Sequence, residues 1–241
     1  MPFGWLKTPQ LLEIWFNRAI GKRDLTDAPV LAFDEYKVAY LPMPKAANTS
    51  IRTALLPYLS VEDQGHSKDI HNRTRSLLEP SSSFFKRANS DWYVFTVVRD
   101  PSSRAKSAWR NKLIERDPIF VPLQRMGIKE RIEFEPFLRK CSAWPQWALN
   151  DHFMPQTMLL DRASKSGLLN VFHFENLSDD WLVIKSELAK RGMTEVADLK
   201  KLNTTAKAAD QFTVAELDLL ADLYGTDFKE LGYDLPQASK T

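Results

Sequence analysis

Two segments of the 241-residue chain carry residue types that could hold an anion and stabilise charge moving on it. The first is Leu41–Ser50, LPMPKAANTS, which follows the apolar run YKVAYL and precedes Ile51, Ala54, Leu55 and Tyr58 at helical spacing. A strand, a short loop and a helix start in that order suit a phosphate-like group. The first N–H groups of a helix lack carbonyl partners and lie at the positive end of its dipole. This loop contains no glycine, and its lysine comes first. Small side chains at Ala46 and Ala47 would let the backbone approach an anion. The N–H groups around Ala47, Asn48, Thr49, Ser50 and Ile51 would donate to it, the two hydroxyls would add to them, and Lys45 would bring a full charge. Taken alone, the same residues also describe an ordinary surface loop with a solvated lysine.

The second segment is Val97–Lys112, VVRDPSSRAKSAWRNK. Arg99, Arg104, Lys106, Arg110 and Lys112 set five cations near one helix start, against the single acid Asp100. Asp100 suits an N-cap and Pro101 the first helical position, where a missing N–H costs nothing. Arg99 falls where an apolar strand ends, and Ser107 lies about two turns into the helix. A phosphate beside that helix could be gripped by the guanidinium of one and the hydroxyl of the other. A solvated basic helix face is the plain alternative, but it does not explain an arginine ending an apolar strand, where burying its stem is costly without a partner.

Proton transfer needs a different residue type. Of the four histidines, His71 lies between the two segments with His66 and Glu62 nearby, and His152 lies in NDHFMPQ. His71 and His152 are the candidate general bases, although either could be a solvated or internally satisfied side chain. His173, between Phe172 and Phe174, reads as structural. No HExxH or HxxxH spacing occurs, and with the single Cys141 no structural zinc site or disulfide framework is expected. Among seven tryptophans, Trp144 and Trp147 could stack on a sugar or an adenine, whereas the spacing of Trp109 from Ala105 and Ala108 favours a core role.

Three apolar runs, Tyr36–Leu41, Trp92–Val98 and Leu168–Phe174, must position these groups. Each is apolar at nearly every position, as in strands covered on both faces, and each leads into a helix signal. The third is followed by Ser178 as a possible cap, Asp179 and Asp180 in the first turn, and Gly192 as a stop. Strand then helix, three times over, predicts an α/β fold: a parallel β-sheet flanked by helices, helix-rich, in a single domain over residues 1–241. Residues 1–35 read as an N-terminal helical extension and 113–150 as a helical insertion. Thr213 and Glu216 form a capping box ahead of Leu217, Leu220 and Tyr224, with Gly225 expected to end that helix.

A net charge of +2 gives no reason to expect nucleic acid as a partner. The N-terminus, broken by Lys7, Glu13 and Arg18, does not read as a signal peptide, and no apolar run reaches the length of a membrane span. These features set the expectation of a soluble, cytoplasmic protein.

The pair PKAANTSIR and VVRDPSSRAKSAWRNK resembles the two donor-binding segments of the sulfotransferases, in particular the carbohydrate-type branch. The family's R-D-P-x-x-R-x-x-S-x-x-R pattern is met at Arg99, Asp100, Pro101, Arg104, Ser107 and Arg110. NDHFMPQ, VFHFENLSDDW and LYGTDFKELGY are similar to three further family patches, so that the resemblance runs from Val38 to Tyr233. It implies a P-loop-like sheet and 3′-phosphoadenosine 5′-phosphosulfate (PAPS) as co-substrate, with no metal. Lys45 and Ala46, Ala47, Asn48, Thr49 and Ser50 would hold the 5′-phosphosulfate, and Arg99 and Ser107 the 3′-phosphate. Residues 200–205, KKLNTT, resemble a loop that closes over the nucleotide.

The expected reaction is in-line sulfuryl transfer to a hydroxyl, of a carbohydrate or glycoconjugate by the resemblance, with Lys45 stabilising charge on the bridging oxygen. Two other readings remain open at this level. A P-loop-like nucleotide kinase lacks its GxxxxGK[ST] here, and a non-catalytic binder of phosphorylated or sulfated ligands would need Arg99 and Ser107 but not Lys45. The acceptor and the oligomeric state are not legible in these residues.

Overall fold

In the computed structural model, residues 9–19, 24–59, 69–199 and 211–238 are described. In chain order the main elements are α1 (Pro9–Ala19), β1 (Pro29–Phe33), β2 (Val38–Leu41), α2 (Asn48–Ala54), α3 (Ile70–Arg73), β3 (Leu78–Pro80), α4 (Ser81–Arg87), β4 (Tyr93–Val98) and α5 (Pro101–Trp109). There follow α6 (Val121–Arg125), α7 (Phe134–Ser142), α8 (Gln156–Lys165), β5 (Leu169–His173), α9 (Leu177–Lys190) and α10 (Val214–Glu230). They group into a sheet unit, residues 27–99 and 160–207, and a helical unit, residues 1–26, 100–159 and 208–241.

The sheet unit is built on five strands in the order β3-β1-β2-β4-β5. β2, β4 and β5 run parallel, as their strand-then-helix sequence requires. β1 pairs antiparallel with both β2 and β3, so the sheet is mixed rather than wholly parallel. β1 also corrects the reading of residues 1–35 as helical. The segment PVLAF is too short to show a period, and it becomes a strand because the turn at 34–37, with Lys37 left-handed at φ 53°, folds it back onto β2. β2 and β4 are buried along their whole lengths. β5 is not, because it is an edge strand, and Val171 is exposed on it.

The ends of the two central strands are tied together. The hydroxyl of buried Thr96 donates to the carbonyl of Leu41 at 2.9 Å, fixing the point at which β2 enters its loop against the last turn of β4. In α9 the N-cap is Asn176 rather than Ser178, with Asp179 and Asp180 in the first turn. Gly192, at φ 94°, follows that helix in the left-handed conformation that glycine adopts without strain.

The helical unit packs α10 against α7 and α5. Phe134, Phe137, Leu138 and Cys141 of α7 and Leu220, Tyr224 and Phe228 of α10 are buried. Burial pushes the Cys141 thiol far above its ordinary range, as expected of an inert core residue. The capping box of Thr213 and Glu216 is present. Gly225 does not end α10, because the chain kinks at Tyr224 (φ −126°) and resumes as helix to Glu230.

That continuation matters, because it carries Asp227 inward. The fully buried Asp227 carboxylate accepts from the N–H groups of Gln156 and Thr157 and from the Thr157 hydroxyl, at 2.7 to 2.8 Å, and so holds the start of α8. Asp227→Ala would strand a buried and a half-buried N–H and a hydroxyl, and we expect a loss of about 3 kcal/mol in urea unfolding, with the midpoint shifted and the slope unchanged. Among the described residues no helix is long and apolar enough to cross a membrane.

Candidate active site

Within the sheet unit, the carboxyl ends of the three parallel strands converge, which is where open sheets of this kind bind ligands. β2 leads into the loop of Lys45. The backbone there is left-handed at Lys45 (φ 68°) and again at Ala47 (φ 56°), with Ala46 between them fully buried and its N–H donating to Met43 at 3.3 Å. This backbone explains how the loop turns without glycine. Two residues accept positive φ, at a cost on the order of 1 kcal/mol each. Ala47 is the N-cap of α2 and supplies no side-chain cap, so the first N–H groups of the helix meet no oxygen from it.

β4 ends in Arg99. Its Nη1 donates to the carbonyl of Lys45 at 3.1 Å, and its guanidinium lies 4.6 Å from the centre of the Phe174 ring, which follows β5. The partner that an arginine at the end of an apolar strand requires is therefore the backbone of the lysine loop, with an aromatic face beside it. One carbonyl, one guanidinium and one ring join the three strand ends. The sequence signals Arg99 but not Phe174, whose proximity is a consequence of β4–β5 pairing.

Two further observations in the loop bear on an anion. The Asn48 side-chain oxygen is buried and has no hydrogen-bond partner among the described residues. A carboxamide turned end for end would offer its NH2 at that position, so the residue suits an oxygen-rich group brought into the loop. Thr49 Oγ1 lies 2.9 Å from His71 Nε2, and the His71 N–H donates to Asp69, the N-cap of α3. His71 is thus placed at the loop, against a hydroxyl predicted to face the donor. The buried Arg52 of α2 donates to the Thr74 hydroxyl, bracing α2 against α3.

The helical unit holds the remainder. Asp100 caps α5 by accepting from the Ser103 N–H at 2.7 Å, and Pro101 occupies the first turn. The five cations of the segment do not form one basic face. Arg104 is fully buried and donates to the carbonyls of Asp151 and Met154 at 2.7 and 2.9 Å. Lys106 sits over Phe212, and Lys112 over Phe120. Ser107 is half-buried on α5 and belongs to the helical unit, whereas Arg99 belongs to the sheet unit.

The role of Arg104 escapes the linear pattern. It grips the segment that carries His152 at two points, and the Tyr224 hydroxyl grips the same segment by donating to the Phe153 carbonyl at 2.9 Å. Asp227 holds the residues that follow. A periodicity argument could find the buried Tyr224, but the grip on residues 150–157 arises only when α5 and α10 meet that segment.

His152 Nδ1 lies 2.8 Å from Asn150 Oδ1 and 2.9 Å from Asp151 Oδ1. Two oxygens on one nitrogen select the tautomer with its proton on Nδ1, which leaves Nε2 as the basic atom. Burial lowers the His152 pKa below the ordinary imidazole value, opposed by the hydrogen bond and charge of Asp151. Neutral imidazole is then the resting form at pH 7. The base form persists below the usual histidine range, so if His152 is the base, kcat/KM should hold down to about pH 6.5 and fall only below it. His152→Gln should abolish that acidic limb; a limb unchanged in the variant would assign the base elsewhere. The stability sign follows the same shift. An imidazole depressed on folding costs stability as pH falls from about 6.5 toward its folded value, because the unfolded chain binds the proton first.

His71 and His152 belong to different units. His66, Glu62 and residues 200–205 lie outside the described residues.

A model of the sulfotransferase family matches residues 29–234, from the start of β1 to just beyond α10, and the chain belongs to that family. Its curated relatives include carbohydrate sulfotransferase 10 from Homo sapiens, 24% identical over 194 residues, which cover 66% of this chain and 54% of the relative. The same enzyme from Pongo abelii is 23% identical over the same coverage, and that from Gallus gallus is 24% identical over 179 residues, 63% of this chain and 49% of the relative. The chain spans about half the length of the curated relatives it matches. No solved structure matches it.

Proposed function

We propose that the chain transfers the sulfuryl group of PAPS to a hydroxyl, and that the acceptor is a carbohydrate or glycoconjugate. The observation that carries this reading is the Arg99–Lys45 contact at the converging strand ends, in a chain of the sulfotransferase family. The names of the curated relatives support the acceptor class. Lys45, Ala46, Ala47, Asn48, Thr49 and Ser50 hold the 5′-phosphosulfate, and Arg99 and Ser107 hold the 3′-phosphate. The left-handed loop, the α2 start and the buried Asn48 amide fit an oxygen-rich anion, and no carboxylate of the loop opposes it.

In this mechanism the acceptor oxygen attacks sulfur as the bond from sulfur to the bridging phosphate oxygen breaks, and adenosine 3′,5′-bisphosphate departs. Lys45 offsets the charge growing on that bridging oxygen, and the dipole of α2 adds to it. The acceptor's proton passes to an imidazole, for which His152 and His71 are the two candidates. His152 offers a basic Nε2 on a ring held at Nδ1 by Asp151, whereas His71 is already engaged with Thr49.

The test is a thermal-shift series on the full chain. Adenosine 3′,5′-bisphosphate at 100 times its dissociation constant, without magnesium, should stabilise the protein by about 2.7 kcal/mol, and ATP should not. Stabilisation by magnesium-ATP alone would overturn the reading in favour of a kinase. Tight nucleotide binding with no transfer of labelled sulfate across a broad acceptor panel would leave a non-catalytic binder.

A further inference from the structure

Helices α2 and α3, both in the sheet unit, are joined by two side-chain contacts one helical turn apart. Thr49 and Arg52 stand three residues apart on α2, and His71 and Thr74 three apart on α3 and its C-cap, so each pair shares a face. The inner contact is Arg52 Nη1 donating to Thr74 Oγ1 at 2.9 Å. Both residues are buried, and Thr74 gives its own proton to the carbonyl of Ile70 at 2.8 Å. The outer contact is Thr49 Oγ1 to His71 Nε2 at 2.9 Å, between two exposed side chains at the lysine loop. Asp69 steadies the histidine from behind by accepting from its backbone N–H at 2.9 Å.

The two contacts have different uses. Breaking the buried one would leave a polar group without water or partner, so Arg52 and Thr74 fix how α3 lies on α2. An exposed hydrogen bond exchanges with water at little net gain, so the fold does not depend on Thr49 and His71. What the outer contact controls is the direction of a proton. A threonine hydroxyl has one proton to give. If it donates to an unprotonated Nε2, its oxygen has only lone pairs for the loop, and these repel an anion. If Nε2 carries the proton and donates to Oγ1, the threonine proton is released toward the loop. A phosphate or sulfate group offers only acceptors, so it favours the second arrangement over the first.

We propose that His71 is a positioning residue for the donor: with its proton on Nε2 it donates to Thr49, and so aims the Thr49 hydroxyl proton at the 5′-phosphosulfate. The inference rests on the sulfotransferase reading and assigns His71 a part in donor binding. An Nε2 that holds a proton for Thr49 has no lone pair with which to take one from an acceptor. The buried Arg52–Thr74 contact, one turn below, keeps the imidazole within reach of the hydroxyl while the outer pair adjusts to the ligand.

The test titrates adenosine 3′,5′-bisphosphate, which carries the 5′-phosphate, into the full chain and its variants by calorimetry, with nitrogen NMR of the labelled histidine rings. His71→Ala should weaken binding about tenfold, as should Thr49→Val, and the double variant should be no weaker than either single one. His71→Gln should bind within about threefold of the parent, because a carboxamide NH2 can donate to Thr49 although it cannot serve as a base. At about pH 8.5 an ordinary imidazole is neutral, so a proton on Nε2 there reports the tautomer. The His71 Nε2 signal, identified by its absence from His71→Gln, should be that of a protonated nitrogen when the nucleotide saturates the protein. Parental affinity in His71→Ala, a glutamine variant as weak as the alanine one, additive losses in the double variant, or an unprotonated Nε2 at saturation overturns the assignment. A parent that binds no adenosine 3′,5′-bisphosphate overturns the PAPS reading and the assignment with it, and the parent titration alone tells that failure from the others.

Discussion

Replacing Lys45 by alanine is expected to lower kcat by about 10²- to 10³-fold, roughly 2.7 to 4 kcal/mol of transition-state stabilisation, the range found when one preorganised charge partner is removed. Binding of adenosine 3′,5′-bisphosphate should change little by comparison, because the ammonium is assigned to charge that develops as the sulfur–oxygen bond breaks. Backbone strain complicates this variant, since position 45 is left-handed and alanine tolerates φ 68° no better than lysine. Lys45→Gly removes the same charge while relieving the backbone. Equal losses in the two variants identify the ammonium as the cause, and a much smaller loss in glycine identifies loop geometry. A Lys45→Ala enzyme with parental kcat would remove the basis of the mechanism.

Arg99→Ala should act on binding. The guanidinium contributes a hydrogen bond to the Lys45 carbonyl, contact with Phe174 and, in the proposal, charge on the 3′-phosphate. Losing a charge-assisted contact and the brace on the loop together should weaken adenosine 3′,5′-bisphosphate by about 10²-fold, near 2.7 kcal/mol, in calorimetric titration. Adenosine 5′-phosphosulfate, which has no 3′-phosphate, separates the two contributions. If Arg99 reads the 3′-phosphate, the variant and parent should bind this analogue within about threefold of each other. An equal loss for both ligands would mean that Arg99 serves only to hold the Lys45 loop. Lysine at position 99 keeps the charge but not the planar fork, so Arg99→Lys should recover only part of the affinity.

These expectations differ in how far linear inspection could reach them. LPMPKAANTS is ambiguous alone, and it is RDPSSRAKS beside it that turns the reading toward an anion site. β2 and β4 could be read from their apolar runs because central strands bury both faces, whereas β5 has an equally apolar run but lies at the sheet edge; the cap of α5 could be read from Asp100 and Pro101. β1 could not, since five residues carry no period and its place is set by the turn back from β2. Gly225 looked like a helix stop, but packing against α7 carries the chain on past it as helix, and that continuation brings Asp227 to α8.

Arg104 marks the boundary most clearly. As one of five cations in a line it belonged to a basic helix face; in the fold it is buried and committed to two carbonyls of the His152 segment. Charge and residue type are properties of the chain and can be read along it. They raise the expectation of an anion site and indicate where the strands that would present it must run. Which cation faces the ligand and which braces a loop depends on carbonyls 47 to 54 residues away, and such distant partners are chosen only when the helices and strands pack. The Lys45 loop and Arg99 could therefore be picked out along the chain, while the carbonyl that Arg99 holds, the ring of Phe174 beside it, and the tautomer of His152 were decided by tertiary contact.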